Sequence, residues 1–93
     1  MLKIERTTQF KKDYRRECKG RYGASLETDL VTVLQLLANN QQLPAKYCDH
    51  ALVGDWRSYR DCHIRPDLIL IYRRLDAKRL QLVRLGSHSQ LCL

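Results

Sequence analysis

Apolar positions along the chain follow two different periods, and the switch between them divides the sequence into elements. Near the N-terminus Leu2 and Ile4 alternate with Lys3 and Glu5. A period of two predicts a short strand over Met1–Arg6 with one buried face. Then Phe10, Tyr14 and Cys18 recur at helical spacing, with Lys11, Lys12, Arg15, Arg16 and Lys19 on the other side. Thr7 or Thr8 can cap this helix, and Gly20 ends it. A second helix is predicted over Leu26–Asn39, with Leu26, Leu30, Val33, Leu34 and Leu37 as its apolar stripe. Ser25 precedes it as a plausible N-cap, and Glu27 and Asp29 suit the positive end of its first turn. Asn39 and Asn40 stop this helix, and Leu43–Asp49, with Pro44, reads as a loop.

The period of two returns in the second half. From Trp56 to Ile64, Trp56, Ser58, Arg60, Cys62 and Ile64 share one face, and Arg57, Tyr59, Asp61, His63 and Arg65 share the other. Trp56, Cys62 and Ile64 are expected to pack on the helices. Pro66 starts a tight connection. Asp67–Leu75 is apolar on both faces in its middle and predicts a central strand. Asp76–Lys78 make a turn, Arg79–Leu85 form the last strand, and Gly86 releases the chain into Ser87 and His88. The order is strand, helix, helix and three strands. That is an α+β domain spanning 1–93, with two helices on one face of a small, mostly antiparallel sheet. The other face is expected to stay open and to carry Tyr59, Asp61 and His63.

Composition narrows the class. Ninety-three residues at 44% hydrophobic suit one globular domain. No apolar run approaches the roughly 20 residues of a membrane helix. The N-terminal segment turns charged too early for a secretory signal. A cytoplasmic protein is expected, and Cys18, Cys48, Cys62 and Cys92 then read as unlinked thiols. The formal charge of +7 points to a polyanion or an acidic partner.

The chemistry concentrates in Asp49–Tyr72. This stretch holds His50, His63, Asp49, Asp55, Asp61, Asp67 and the only Trp. His50, His63 and His88, with Asp61 and Asp67, suit phosphodiester cleavage. A base takes the proton of a ribose 2′-hydroxyl, an acid protonates the departing 5′-oxygen, and a cation offsets the phosphoryl charge. Imidazole suits either proton role because its ordinary pKa lies near neutrality. Arg60, Arg65 and Arg84 are candidates for the cation, with Tyr59 beside them. Each residue also has a plain reading. A lone histidine is commonly a surface residue, Asp67 a turn residue, and Asp61 an ion-pair partner of Arg57 or Arg65. A zinc site from Cys48, His50, Cys62 and His63 fits no common finger spacing, and neighbouring strand residues such as Cys62 and His63 face opposite ways.

The run Asp49-His50-x-Leu52-x-Gly54-x-Trp56-x-x-Tyr59-Arg60-Asp61-x-His63-x-x-Pro66-Asp67-x-Ile69-Leu70-Ile71-Tyr72 resembles the YafQ branch of the RelE-like bacterial toxins. So do Arg84-x-Gly86-x-His88 and the pair Asn39-Asn40 followed by Leu43-Pro44. The resemblance implies the two-helix, small-sheet fold. It implies a ribosome-dependent endoribonuclease that cuts messenger RNA, halts translation and needs no metal or other cofactor. The implied partner is a cognate RelB/DinJ-like antitoxin that covers the active site, with operator DNA bound only through the complex. Carried over by position, His50, His63, Asp67 and His88 form the catalytic group, Asp61 supports them, and Arg84 meets phosphate. His88 is expected as the acid and Asp67 or His50 as the base. One departure stands near the C-terminus, where Cys92 replaces an aromatic residue of the family; weaker activity or altered codon preference is expected from it. The rival reading is a basic protein that binds RNA or an acidic partner without cutting.

Overall fold

The computed structural model describes residues 1–91. Its elements are β1 (Lys3–Arg6), α1 (Thr8–Cys18), α2 (Leu26–Ala38), β2 (His50–Ala51), β3 (Arg60–Arg65), β4 (Leu68–Asp76), β5 (Arg79–Gly86) and a one-turn α3 (His88–Leu91). The strands form one five-stranded sheet in the order β1-β5-β4-β3-β2. β1 runs parallel to β5, and every other pair is antiparallel. The two long helices and the mostly antiparallel sheet are as expected, with the two-residue β2 added at the edge and the one-turn α3 after β5.

Both long helices lie over one sheet face. Phe10 of α1 and Leu26, Leu30, Val33 and Leu37 of α2 are buried against Cys62, Leu68, Leu70, Tyr72, Leu80, Leu82 and Leu85. Thr7 fixes the start of α1 twice. Its Oγ1 accepts from the Phe10 N–H at 3.0 Å and donates to the Val83 carbonyl at 2.9 Å. The inward side of α1 differs from the expected stripe. Cys18 is exposed, and a carboxylate, Asp13, is fully buried instead. The chain then turns so tightly between the helices that a Cβ at Gly23 would lie 2.1 Å from the Cys18 carbonyl oxygen.

The opposite sheet face is not open. Ile69, Ile71 and Leu91 are buried there, with Leu52, Trp56, Tyr59 and Val83 packed around them. Trp56 therefore belongs to this side and not to the helices. The reason is local. Gly54 (φ 67°) and Ser58 (φ 99°) interrupt extended backbone, and Gly54–Trp56 is a single 3-10 turn. The alternation expected from Trp56 starts only at Arg60. It ends early too, because the register shifts between His63 and Arg65 and pairs Arg65 with Leu68. That bulge turns Arg65 to the helix side, where its Nε reaches Asp29 of α2 at 2.8 Å. No described helix is long and apolar enough to cross a membrane.

Candidate active site

The three imidazoles lie around Asp61. His50 on β2 pairs in register with Asp61 on β3, and its Nδ1 stands 2.9 Å from Asp61 Oδ1. The same nitrogen lies 2.8 Å from the Cys48 carbonyl oxygen. A carbonyl can only accept, so His50 Nδ1 carries hydrogen and donates there. Asp61 Oδ1 sits beside the ring without an aligned hydrogen bond and forms no other. His63 follows two residues on, on the same side of β3. Its ring centroid is 5.3 Å from that of His88, edge to face. His88 opens α3 and is held by Asp67 of the β3–β4 turn. Asp67 Oδ1 accepts from the His88 backbone N–H at 3.2 Å and lies 3.0 Å from Nδ1. Ser87 and Gln90 cap this turn reciprocally. Ser87 N–H donates to Gln90 Oε1 at 2.8 Å, and Gln90 N–H donates to Ser87 Oγ at 3.2 Å.

The two carboxylates are tuned in opposite directions. Burial pushes the Asp61 carboxyl above its ordinary range, and charge on His50, His63 or His88 only partly offsets this. Hydrogen bonds from the His88 side chain and backbone hold the Asp67 carboxyl below the usual range. An ionised Asp67 can only accept, so His88 Nδ1 carries hydrogen as well. Both His50 and His88 therefore have Nε2 as the nitrogen left for a substrate.

The candidate cations are distributed differently from the expectation. Arg84 is in the sheet row of Asp61, since both are register partners of Ile71. Its Nε donates to Asp13 at 2.8 Å. Arg65 is turned away by the bulge. Arg60 is exposed, and its guanidinium meets Asp49 through Nε and Nη2, each at 3.3 Å. Each is thus engaged by a carboxylate outside the histidine group, Arg60 by Asp49 and Arg65 by Asp29. Tyr59 is half-buried in the second apolar cluster, edge to face with Trp56 at 5.3 Å, with the Arg73 guanidinium 4.9 Å over its ring. Asp61 pairs with His50 and not with Arg57 or Arg65.

Two supporting acids escaped sequence reasoning. Asp13 was visible in principle, as a carboxylate standing at helical spacing beside Phe10 and Tyr14. Asp49 accepts from the Tyr72 hydroxyl and from Arg60, and so ties down the strand that carries His50. Nothing in its spacing marks that role. Among the described residues no three His, Cys, Asp or Glu side chains are arranged to hold a metal ion. Cys62 is buried and belongs to the helix-side core, while His63 lies across the strand from it. Cys92 lies outside the described residues. The apolar groove between α1 and α2, lined by Phe10, Tyr14, Leu30 and Leu34, holds none of the acid–base residues.

The family described as "Bacterial toxin of type II toxin-antitoxin system, YafQ" matches residues 2–93. The mRNA interferase toxin YafQ of Escherichia coli K12 is 41% identical over 88 residues, covering 95% of this chain and 92% of that one. The toxin in the E. coli DinJ–YafQ complex superposes with a TM-score of 0.82 at 40% identity, covering 98% of each chain. A copper-bound mutant toxin from Helicobacter pylori gives a TM-score of 0.85 at 35% identity, covering 98% of this chain and 99% of that one. A family match over nearly the whole length, on top of a shared fold, means that this chain belongs to the YafQ family of bacterial type II toxin–antitoxin toxins.

Proposed function

We propose that this chain is the endoribonuclease toxin of a toxin–antitoxin pair, cutting messenger RNA on the ribosome by metal-independent acid–base chemistry. Its neutralising partner is a DinJ-type antitoxin. The observation that carries the reading is the grouping of His50, His63 and His88 around buried Asp61, with His88 locked by Asp67.

The tautomers suggest a division of labour. His50 donates through Nδ1 to the Cys48 carbonyl, so its neutral ring offers Nε2 as an acceptor. That is the form a general base needs. It removes the proton of the ribose 2′-hydroxyl, and the 2′-oxygen attacks the adjacent phosphorus. The bond to the 5′-oxygen breaks, and charged His88 gives that oxygen the Nε2 proton. The products are a 2′,3′-cyclic phosphate and a 5′-hydroxyl end. Asp67 orients His88 through Oδ1, which accepts from the His88 backbone and faces its ring. Arg84 is the cation for the phosphoryl oxygens. DNA is not a substrate, since it lacks the 2′-hydroxyl.

The test is induction of the wild type and of the pair His63→Ala, His88→Ala in a bacterial host, with mapping of new RNA ends. Growth arrest and cyclic-phosphate ends from the wild type alone support the reading. Equal toxicity of both chains would leave the non-cutting RNA binder in its place.

A further inference from the structure

Asp13 is fully buried and takes no part in the proton transfers above. A buried carboxylate is costly unless charge and hydrogen bonds compensate it. Here the compensation comes from two directions. Oδ2 accepts from Arg84 Nε at 2.8 Å and from the Leu85 N–H at 3.0 Å. Oδ1 accepts from Arg16 Nη1 at 3.0 Å, Gln9 Nε2 at 3.1 Å and Arg84 Nη2 at 3.4 Å.

Part of this set is plain backbone accounting. β1 ends at Arg6, opposite Leu82, so Leu85 has no strand neighbour on that side. Asp13 takes the Leu85 N–H, and Arg16 Nη2 donates to the Leu85 carbonyl at 2.7 Å. Two side chains of α1 thus stand in for a missing strand. Gly86 leaves room for this approach, since a Cβ there would lie 2.7 Å from Arg16 Nη2 and displace it. A neutral amide at position 13 could satisfy Leu85 equally well. The fork onto Arg84 is additional, and it requires a carboxylate for its charge-assisted geometry.

We infer that Asp13 is a positioning residue for Arg84, fixing its guanidinium for the phosphoryl group; this rests on the role given to Arg84 above. The bulge at Val83 sets Arg84 in the row of Asp61. Nε and Nη2 are committed to Asp13, and among the described residues Nη1 donates to no protein group. The Arg84 side chain is 25% exposed, so one end is anchored and the other is available. The anchor also keeps the guanidinium from collapsing onto Asp61 or Asp67, the two carboxylates of the proton-transfer cluster. Without it the side chain would lose orientation at the moment charge develops on the phosphoryl oxygens.

The experiment is a double-substitution cycle on purified toxin, measuring kcat and KM for cleavage of ribosome-bound messenger RNA. Arg84→Ala is expected to lower kcat roughly 100-fold. Asp13→Asn is expected to lower kcat roughly ten-fold with KM little changed, the size of loss a displaced catalytic group produces. Combined, the two should behave as Arg84→Ala alone, because a residue acting through another adds nothing once that other is gone. A full multiplicative loss in the double variant, or wild-type kcat for Asp13→Asn, overturns the assignment. Unimpaired Arg84→Ala would instead remove Arg84 from the reaction, a separate failure. If Asp13→Asn does not fold, the Arg84 Nε–H resonance of the wild type decides. Slow exchange with solvent supports the anchor, and exchange at the rate of an exposed arginine overturns it.

Discussion

His88 and Asp67 are 21 residues apart in sequence, yet one oxygen of Asp67 serves both nitrogens that His88 presents to it, backbone and ring. The backbone bond sets where α3 begins, and the ring contact sets which way the imidazole points. A single carboxylate thus fixes both the position and the tautomer of the proposed acid.

Removing that carboxylate should damage activity far more than folding. Asp67→Ala is expected to lower kcat about 100-fold, within the range for loss of a well-placed proton donor. The melting temperature should fall only slightly, since Asp67 is exposed in the β3–β4 turn and its bonds are shared with solvent. Because His88 holds the Asp67 carboxyl below its usual range, the clamp survives further into acid than an ordinary carboxylate would. A melting temperature that falls in step with kcat would show that Asp67 acts on the fold.

Asp61 should show the reverse balance. Burial raises its folded pKa above the ordinary 3.8, so the folded state holds the proton more tightly than the unfolded chain. Stability is then fullest below 3.8 and declines as pH rises through the folded pKa. Asp61→Asn removes this penalty. It should stabilise the protein at neutral pH by about 1 kcal/mol, as relief of an active-site cost often does, while lowering activity. The gain should vanish on acidification. Urea unfolding at neutral and acid pH checks this, and a neutral-pH loss of stability would contradict it.

These two acids show what the sequence could and could not say. A period of two is enough to set Asp61 and His63 on one side of β3 and Cys62 and Ile64 on the other, and that division holds. It fails one residue later at Arg65, because a bulge carries no mark in the residue types that form it. It fails before Arg60 for a clearer reason. Ser58 adopts a positive φ that non-glycine residues rarely take, and so Trp56 ends on the wrong side of the sheet for a simple alternation. The parallel seat of β1 beside β5 is a long-range choice that no local pattern encodes. Asp13 was legible as an anomaly, a charge in an apolar stripe, but its partner Arg84 lies 71 residues away.

Asp13 gives a pH dependence of opposite sign to that of Asp61. Burial alone would raise its carboxyl, yet hydrogen bonds from Arg84, the Leu85 N–H and Gln9 overcome this and leave it below 3.8. The folded state therefore binds this proton less readily. The stabilisation is present above 3.8 and is lost as pH falls through the lowered folded value. Asp13→Ala, which leaves Arg84 and the Leu85 N–H unpartnered, should cost about 3–5 kcal/mol at neutral pH. The difference from wild type should narrow as pH falls below 3.8 and through the lowered folded value, as urea unfolding midpoints would record. A gap independent of pH would assign the loss to packing.

The last prediction concerns how His50 is held. β2 has only two residues, paired with Asp61 and Arg60, and so short a strand gains little from its own ladder. The adjoining Asp49 supplies the anchor, accepting from the buried Tyr72 hydroxyl and from Arg60. Burial pushes the Tyr72 phenol up, so the hydroxyl stays neutral and keeps donating throughout the working pH range. Tyr72→Phe keeps the ring in the helix-side core and deletes only this bond. It should cost about 1.5–3 kcal/mol, the value of a hydrogen bond to a charged group. The loosened strand should also misplace His50 and lower kcat roughly ten-fold, since small displacements of a proton-transfer group weigh heavily on rate. Single-turnover cleavage beside denaturant unfolding separates the two effects. If stability falls while single-turnover cleavage is untouched, Asp49 braces the fold without placing His50, and the base must be held by its contact with Cys48 alone.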